Sequence, residues 1–354
     1  MLLLLASGAT FATGGEQTNS TAPVVSGSQL IVSGQKDSSL QANKSFKFNF
    51  SFSDYRGDYL GLPRPGNKPE KFAPGIISVE DQSVHGLVFS PDGKQLAYML
   101  DDPAGQQKGI RLAYLRQIAG RWTIPTVLEF SRTGHSLNPI ITADGKRIIF
   151  SRPAGKNRLQ YVYCDVSEAE YSAPQKLDLS LPDPFAFSLS YYEDAAGRIY
   201  FCSLVPGNCG GTDLYRFTRS PTGNRVSPIV SLRSPSDDDS PFLSPDGQYL
   251  VFNRVSYPTT GPSRSDVMFS YRLADGEWSP PINYGKHFGA TDDNWRPTFS
   301  PDGKYLFFGM KNGPKFSIYW VSASVIEELR PKPGQPTETR ANGHSVKVPG
   351  MQNW

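Results

Sequence analysis

"FSPDGKYLFF", residues 299–308, decides the fold, because β-formers on both sides of Pro-Asp-Gly predict a tight hairpin. "FSPDGKQLAY" at residues 89–98 repeats it closely. Aligned on the Asp-Gly turn, "IITADGKRIIFSR" and "FLSPDGQYLVFNR" are further copies, and "YYEDAAGRIYFCS" is a degenerate one with an inserted pair of alanines. The turn aspartates Asp92, Asp144, Asp194, Asp246 and Asp302 stand 52, 50, 52 and 56 residues apart. A return at that period marks a repeat architecture.

Each hairpin is followed by a third β segment: "IRLAYLRQI", "LQYVYCDV", "DLYRFTRS", "VMFSYRL" and "SIYWVSA". Four copies then add a fourth, "WTIPTVLEF", "YSAPQKLDL", "RVSPIVSL" and "WSPPINYG". Four antiparallel strands per unit of this length make a propeller blade. The chain therefore reads as all-β, with five blades, six being the alternative if residues 28–68 supply extra strands. The last copy lacks its fourth strand and runs into a short helical turn, "SVIEELRPKPGQP", ended by Pro331 and Pro333. "PEKFAPGIIS", residues 69–78, stands before the first hairpin as "IPTVLEFS" stands before the second. It is expected to complete the last blade and close the ring, which removes an unpaired edge.

The turns resemble the WD-like repeats of secreted bacterial TolB-type β-propellers, whose units carry a similar S-P-D-G-K-x-L-x-F signature. The resemblance covers about residues 55–333, within which "YLGLPRPGNKPEKFAPGIIS" and "SIYWVSASVIEELRPK" also look like this group. It implies an exported propeller, usually of six blades in that group.

With 354 residues the chain is long enough for one large domain, and its 33 Gly, 30 Pro and 12 % aromatic residues favour short strands and tight turns. A net charge of +3 supplies no basic stripe, so nucleic acid is not an expected partner. The opening "MLLLLASGATFATGG" sets leucines before small residues, and residues 1–14 read as a signal-peptide-like segment without the usual basic start. Export to a periplasm or the outside follows. No later apolar stretch approaches the roughly 20 residues of a membrane helix. Residues 15–54 read as a flexible leader in which "FKFNFSFSDY" is a candidate strand, residues 55–330 as the propeller, and residues 331–354 as a polar tail. In an oxidising compartment Cys202 and Cys209 form a candidate disulfide, with idle thiols the alternative; Cys164 is left over.

Residues just ahead of each innermost strand should line one mouth of the central channel. Counting back from each turn gives His85, His135, Asn138, Ser188, Asp237, Asp238, Asp239, Ser240, Asp292, Asp293, Asn294, Trp295 and Arg296. The clusters "SDDDS" and "TDDNWR" are oxygen-rich, which suits sugar hydroxyls or Ca²⁺, with Trp295 as a stacking face. No calcium-loop motif accompanies them, so no cofactor is expected. The competing reading is that these aspartates satisfy loop N–H groups. The histidines lack metal-ligand spacing, and no G-x-S-x-G elbow occurs. The leading expectation is a monomeric, non-catalytic binding or scaffold module for an envelope protein or glycan. The alternative is a carbohydrate-active enzyme, a glycoside hydrolase or lyase with carboxylates at the channel mouth.

Overall fold

The computed structural model describes residues 44–330 except 102–108, 155–158, 183–184, 186–189, 206–207, 210, 259, 261–262 and 286–292. Within them the chain forms five four-stranded antiparallel blades in a ring, numbered here from the first hairpin. The strands, from the channel outward, are Val84–Phe89, Gln95–Asp101, Ile110–Ile118 and Thr126–Val127 in blade 1. Blade 2 has Leu137–Ile141, Arg147–Pro153, Leu159–Asp165 and Gln175–Lys176. Blade 3 has Ser190–Glu193, Ile199–Ser203, Asp213–Thr218 and Arg225–Pro228. Blade 4 has Asp237–Leu243, Tyr249–Ser256, Arg264–Tyr271 and Ile282–Asn283. Blade 5 takes Asn294–Phe299, Tyr305–Asn312 and Lys315–Ser322 from the end of the ring and Glu70–Lys71 from its beginning.

The repeated turn is self-contained. In blade 5 the Ser300 hydroxyl donates to Asp302 Oδ1 at 2.7 Å and accepts the Tyr305 N–H at 2.9 Å, while Asp302 Oδ1 also accepts the Lys304 N–H at 3.1 Å. Gly303 follows at φ 71°, a conformation that strongly favours glycine. Thr142 and Asp144 in blade 2 and Ser244 and Asp246 in blade 4 repeat these bonds. The Thr142 hydroxyl and the Lys146 N–H hold the Asp144 carboxyl below its ordinary value. The turn aspartates thus serve their own hairpins.

Blade 3 departs from the alignment. Asp194 N–H donates to Arg198 O and Gly197 N–H to Asp194 O, so Asp194 stands where Ser90 stands in blade 1, three residues before the glycine. Its carboxylate takes over the serine's task by accepting the Arg198 N–H at 2.9 Å.

The ring closes at the segment the sequence nominates. Glu70 and Lys71 pair with Trp320 and Tyr319, Phe72 N–H donates to Ile318 O at 2.8 Å, and the Ser78 hydroxyl accepts the Ile318 N–H at 3.1 Å. Phe72 and Ile77 are fully buried among Phe89, Leu96, Phe307 and Trp320, where blade 1 meets blade 5.

No sixth blade forms among the described residues. The leader instead adds two short strands on the outside: Ser45–Lys47 pairs with Glu170–Ser172, and Phe52–Arg56 pairs with Arg121–Thr123. The alternating phenylalanines explain this placement. Phe46 stacks on Tyr171 at 5.2 Å and Phe48 on Tyr114 at 5.3 Å, covering the joint between blades 1 and 2. One helical turn, Ser324–Glu328, follows blade 5. Among the described residues no helix is long and apolar enough to cross a membrane.

Candidate functional site

Each inner strand runs along the channel, and in four blades its pairing with the second strand is interrupted by a register shift. In three blades a residue of left-handed backbone followed by proline sits there: Asn138 at φ 59°, Ser240 at φ 56° and Arg296 at φ 54°. Such a conformation costs a non-glycine residue about 1–3 kcal/mol unless its surroundings fix it. Here each N–H is held by a neighbouring blade. Asn138 N–H donates to Met99 Sδ at 3.2 Å, Ser240 N–H to Ser190 Oγ at 3.1 Å, and Arg296 N–H to Asn253 Oδ1. Asn253 is fully buried and is anchored in turn by Asn294 O at 2.6 Å and Ser265 Oγ at 3.0 Å.

The nominated aspartates among the described residues spend their oxygens on the protein. Asp237 accepts the Thr212 N–H at 3.0 Å and the Tyr257 hydroxyl at 2.7 Å. Asp238, 1 % exposed, is gripped by Arg254 through Nε–Oδ1 at 2.7 Å and Nη2–Oδ2 at 3.0 Å. Asp239 accepts the Cys202 thiol at 3.1 Å and the Ser240 N–H. Asp293 accepts the Trp295 Nε1–H at 3.0 Å and lies 3.5 Å from the Lys311 ammonium. Asp292 and Ser188 lie outside the described residues. Among the described residues no three His, Cys, Asp or Glu side chains gather as metal ligands.

The other candidates are also built into the walls. Trp295 is 5 % exposed and packs with Val255 and Phe316, so it offers no open stacking face. His85 sets Nε2 at 2.8 Å from Asp101 Oδ1 and lies against Phe316. His135 Nδ1 accepts the Ile110 N–H at 3.2 Å, and burial together with the Arg111 cation lowers its pKa, which keeps the ring neutral. Asn294, 1 % exposed, is buried as well.

Among the described residues Arg296 is the one nominated charged group that reaches the channel. It lines a small cavity with Gly86, Ser190, Ser240 and the prolines Pro139, Pro241 and Pro297. Its stem lies across Gly86, where an added Cβ would come within 2.9 Å of Arg296 Cβ and Cδ, so a side chain there would displace the arm. Gly86 and Ser190 are residues that the sequence reading did not nominate. The signal was present: Pro139, Pro241 and Pro297 each stand five residues before a turn aspartate, marking the level of the waist.

The candidate Cys202–Cys209 disulfide is not formed. Both are free thiols, Cys209 exposed and Cys202 fully buried with Sγ 3.0 Å from Ser190 Oγ. Cys202 sets its thiol on Asp239 of blade 4, and burial pushes that thiol up into inertness. In the native protein a thiol reagent is expected to label Cys209 alone, and all three cysteines once denatured. Failure to label Cys209 in an unreduced sample would contradict this arrangement.

A second cavity, about 540 Å³, opens between blades 4 and 5 at the Pro-Asp-Gly turns, and Tyr249, Phe299, Tyr305, Pro245, Pro301 and Ile326 form part of its wall. Its volume lies in the range of ligand-binding clefts. Asp246 and Asp302 also line it, but each is held by its own turn.

No protein-family description and no curated protein matches the chain. Among solved structures it is similar to TolB from Acinetobacter baumannii, at 16 % identity over 68 % of this chain and 52 % of that one, with a TM-score of 0.42. A putative TolB from Agrobacterium tumefaciens is similar at 20 % identity over 65 % of this chain and 70 % of that one, TM-score 0.37. An α-L-arabinofuranosidase from Lactobacillus brevis is similar at 12 % identity over 67 % and 88 %, TM-score 0.42. The chain spans about half the length of the Acinetobacter protein.

Proposed function

We propose that the chain is an exported, non-catalytic β-propeller that binds an envelope protein or a glycan and serves as a scaffold. Membership in the TolB-like group, suggested by the Ser-Pro-Asp-Gly-Lys turns, is part of this reading, as is export, suggested by the leucine run ahead of Ala9 and Ala12. One observation carries the non-catalytic side. Asp237, Asp238, Asp239 and Asp293 are all committed to protein donors, and no carboxylate is among the described residues lining the channel cavity. A glycosidase needs two opposed carboxylates free to act on one bond, about 5–10 Å apart. The cleft between blades 4 and 5 has aromatic and proline walls of the kind found in ligand-binding clefts.

The test sets a glycan array and an envelope-protein capture assay beside a panel of chromogenic glycosides. Binding without turnover is the expected result. Turnover by the purified protein that disappears in Asp239→Ala would overturn the reading.

A further inference from the structure

The five inner strands converge on a waist at the centre of the ring. Its cavity measures about 20 Å³, and Leu87, Ile140, Phe242 and the three prolines supply the apolar part of a mixed polar and apolar wall. About 10–15 Å³ admits one water-sized particle, so the space suits a single small ion. Arg296 is the one charged side chain among the described residues lining it. Its guanidinium forms no hydrogen bond or ion pair with a described residue, although it has five N–H donors. The Ser240 hydroxyl, on a residue 6 % exposed and lining the same cavity, likewise has no hydrogen-bond partner.

The unspent guanidinium and the unpartnered hydroxyl thus belong to two residues of one small wall. The arm is not there by chance of rotamer, since the Arg296 backbone is held at φ 54° by Asn253 and its stem is seated on Gly86. Burial lowers the Arg296 pKa only to about 10, so the group is a cation at neutral pH. Asp239 lies within electrostatic reach, but its carboxylate is turned to the Cys202 thiol and the Ser240 N–H. It offsets part of the cation's field, so one negative charge is the most the waist can hold. A space this small, with few polar groups to replace a hydration shell, disfavours strongly hydrated, doubly charged anions.

We propose that the channel waist is a binding site for one small monovalent anion of about chloride's size, held by the Arg296 guanidinium and the Ser240 hydroxyl. The proposal does not depend on what the rim binds. An ion bound only by the folded protein stabilises it by mass action. Thermal unfolding of the full chain is compared in sodium chloride, bromide and gluconate at equal ionic strength. The expected result is a saturable rise in Tm with chloride and bromide that gluconate, too bulky for the waist, does not give. Ser240→Ala should weaken the apparent halide affinity about tenfold or more, as loss of a hydrogen bond to a charge implies. Arg296→Met should abolish the halide effect. If Arg296→Met does not fold, Ser240→Ala and the anomalous signal of a bromide-soaked crystal decide. A bromide peak beside Arg296 and Ser240 supports the site. Equal Tm in all three salts, an unchanged halide affinity in Ser240→Ala, or no bromide peak at the waist would overturn it.

Discussion

Phe72→Ala is expected to destabilise the protein by about 3–5 kcal/mol in urea denaturation, the range for deleting a buried phenylalanine side chain. The ring is fully buried and lies 5.0 Å from Phe307, 5.1 Å from Trp320 and 6.2 Å from Phe89, so it joins blade 5 to blade 1. A propeller opened at this seam exposes two inter-blade faces, and the loss should appear as one cooperative shift of the whole transition. Phe52→Ala provides the contrast. That residue is 42 % exposed on an outer strand, and its removal should cost under about 1 kcal/mol. Equal losses at the two positions would mean that the seam is not where the ring is held.

The ring was legible in the sequence because its defining bonds are local. A serine, an aspartate and a glycine within four residues complete one turn with their own backbone, so the pattern survives in the letters wherever the turn is built. The clasp was legible for a related reason: residues 69–78 carry the missing fourth strand and stand at the right offset from a hairpin. Blade 3 was misaligned because Asp194 does a serine's work, and chemistry rather than identity is preserved there.

The site was much less legible. Counting back along the strand nominates Asp239 and Ser240, and Trp295 and Arg296, without telling the members of each pair apart. The register shifts between Asp239 and Phe242 and between Trp295 and Thr298 decide between them, and of these four it is Ser240 and Arg296 that line the cavity. The aspartates' partners are also non-local. Arg254 comes from the next strand and Cys202 from the preceding blade, and no spacing within "SDDDS" announces either.

Arg254→Met should cost about 3–5 kcal/mol near pH 7.5, because it leaves the buried Asp238 carboxylate without its cation and the Leu232 carbonyl without its 2.6 Å donor. The loss should depend on pH, with a definite sign. Burial raises the Asp238 pKa to about 6 despite the opposing pull of Arg254. Between about pH 4, where the unfolded chain titrates, and pH 6 the folded state holds more protons, so this group's contribution falls as pH rises and then levels off. Without Arg254 the folded carboxyl titrates higher still, and its penalty goes on growing above pH 6. The gap between wild type and variant should therefore be small near pH 5 and wide near pH 7.5, as read by denaturation at each pH. A gap that is constant, or that narrows as pH rises, would show that Asp238 does not carry the effect.

The most direct measurement is a cross-link at the clasp. Lys71 and Tyr319 are paired across the seam in the antiparallel ladder. With Cys209 replaced by serine, Lys71→Cys combined with Tyr319→Cys should oxidise to an intramolecular disulfide in the native protein. Closing a loop on the order of 250 residues should then stabilise the protein by a few kcal/mol. Two thiols that stay free under oxidation, or that join only between molecules, would contradict a ring closed by its own N-terminal strand.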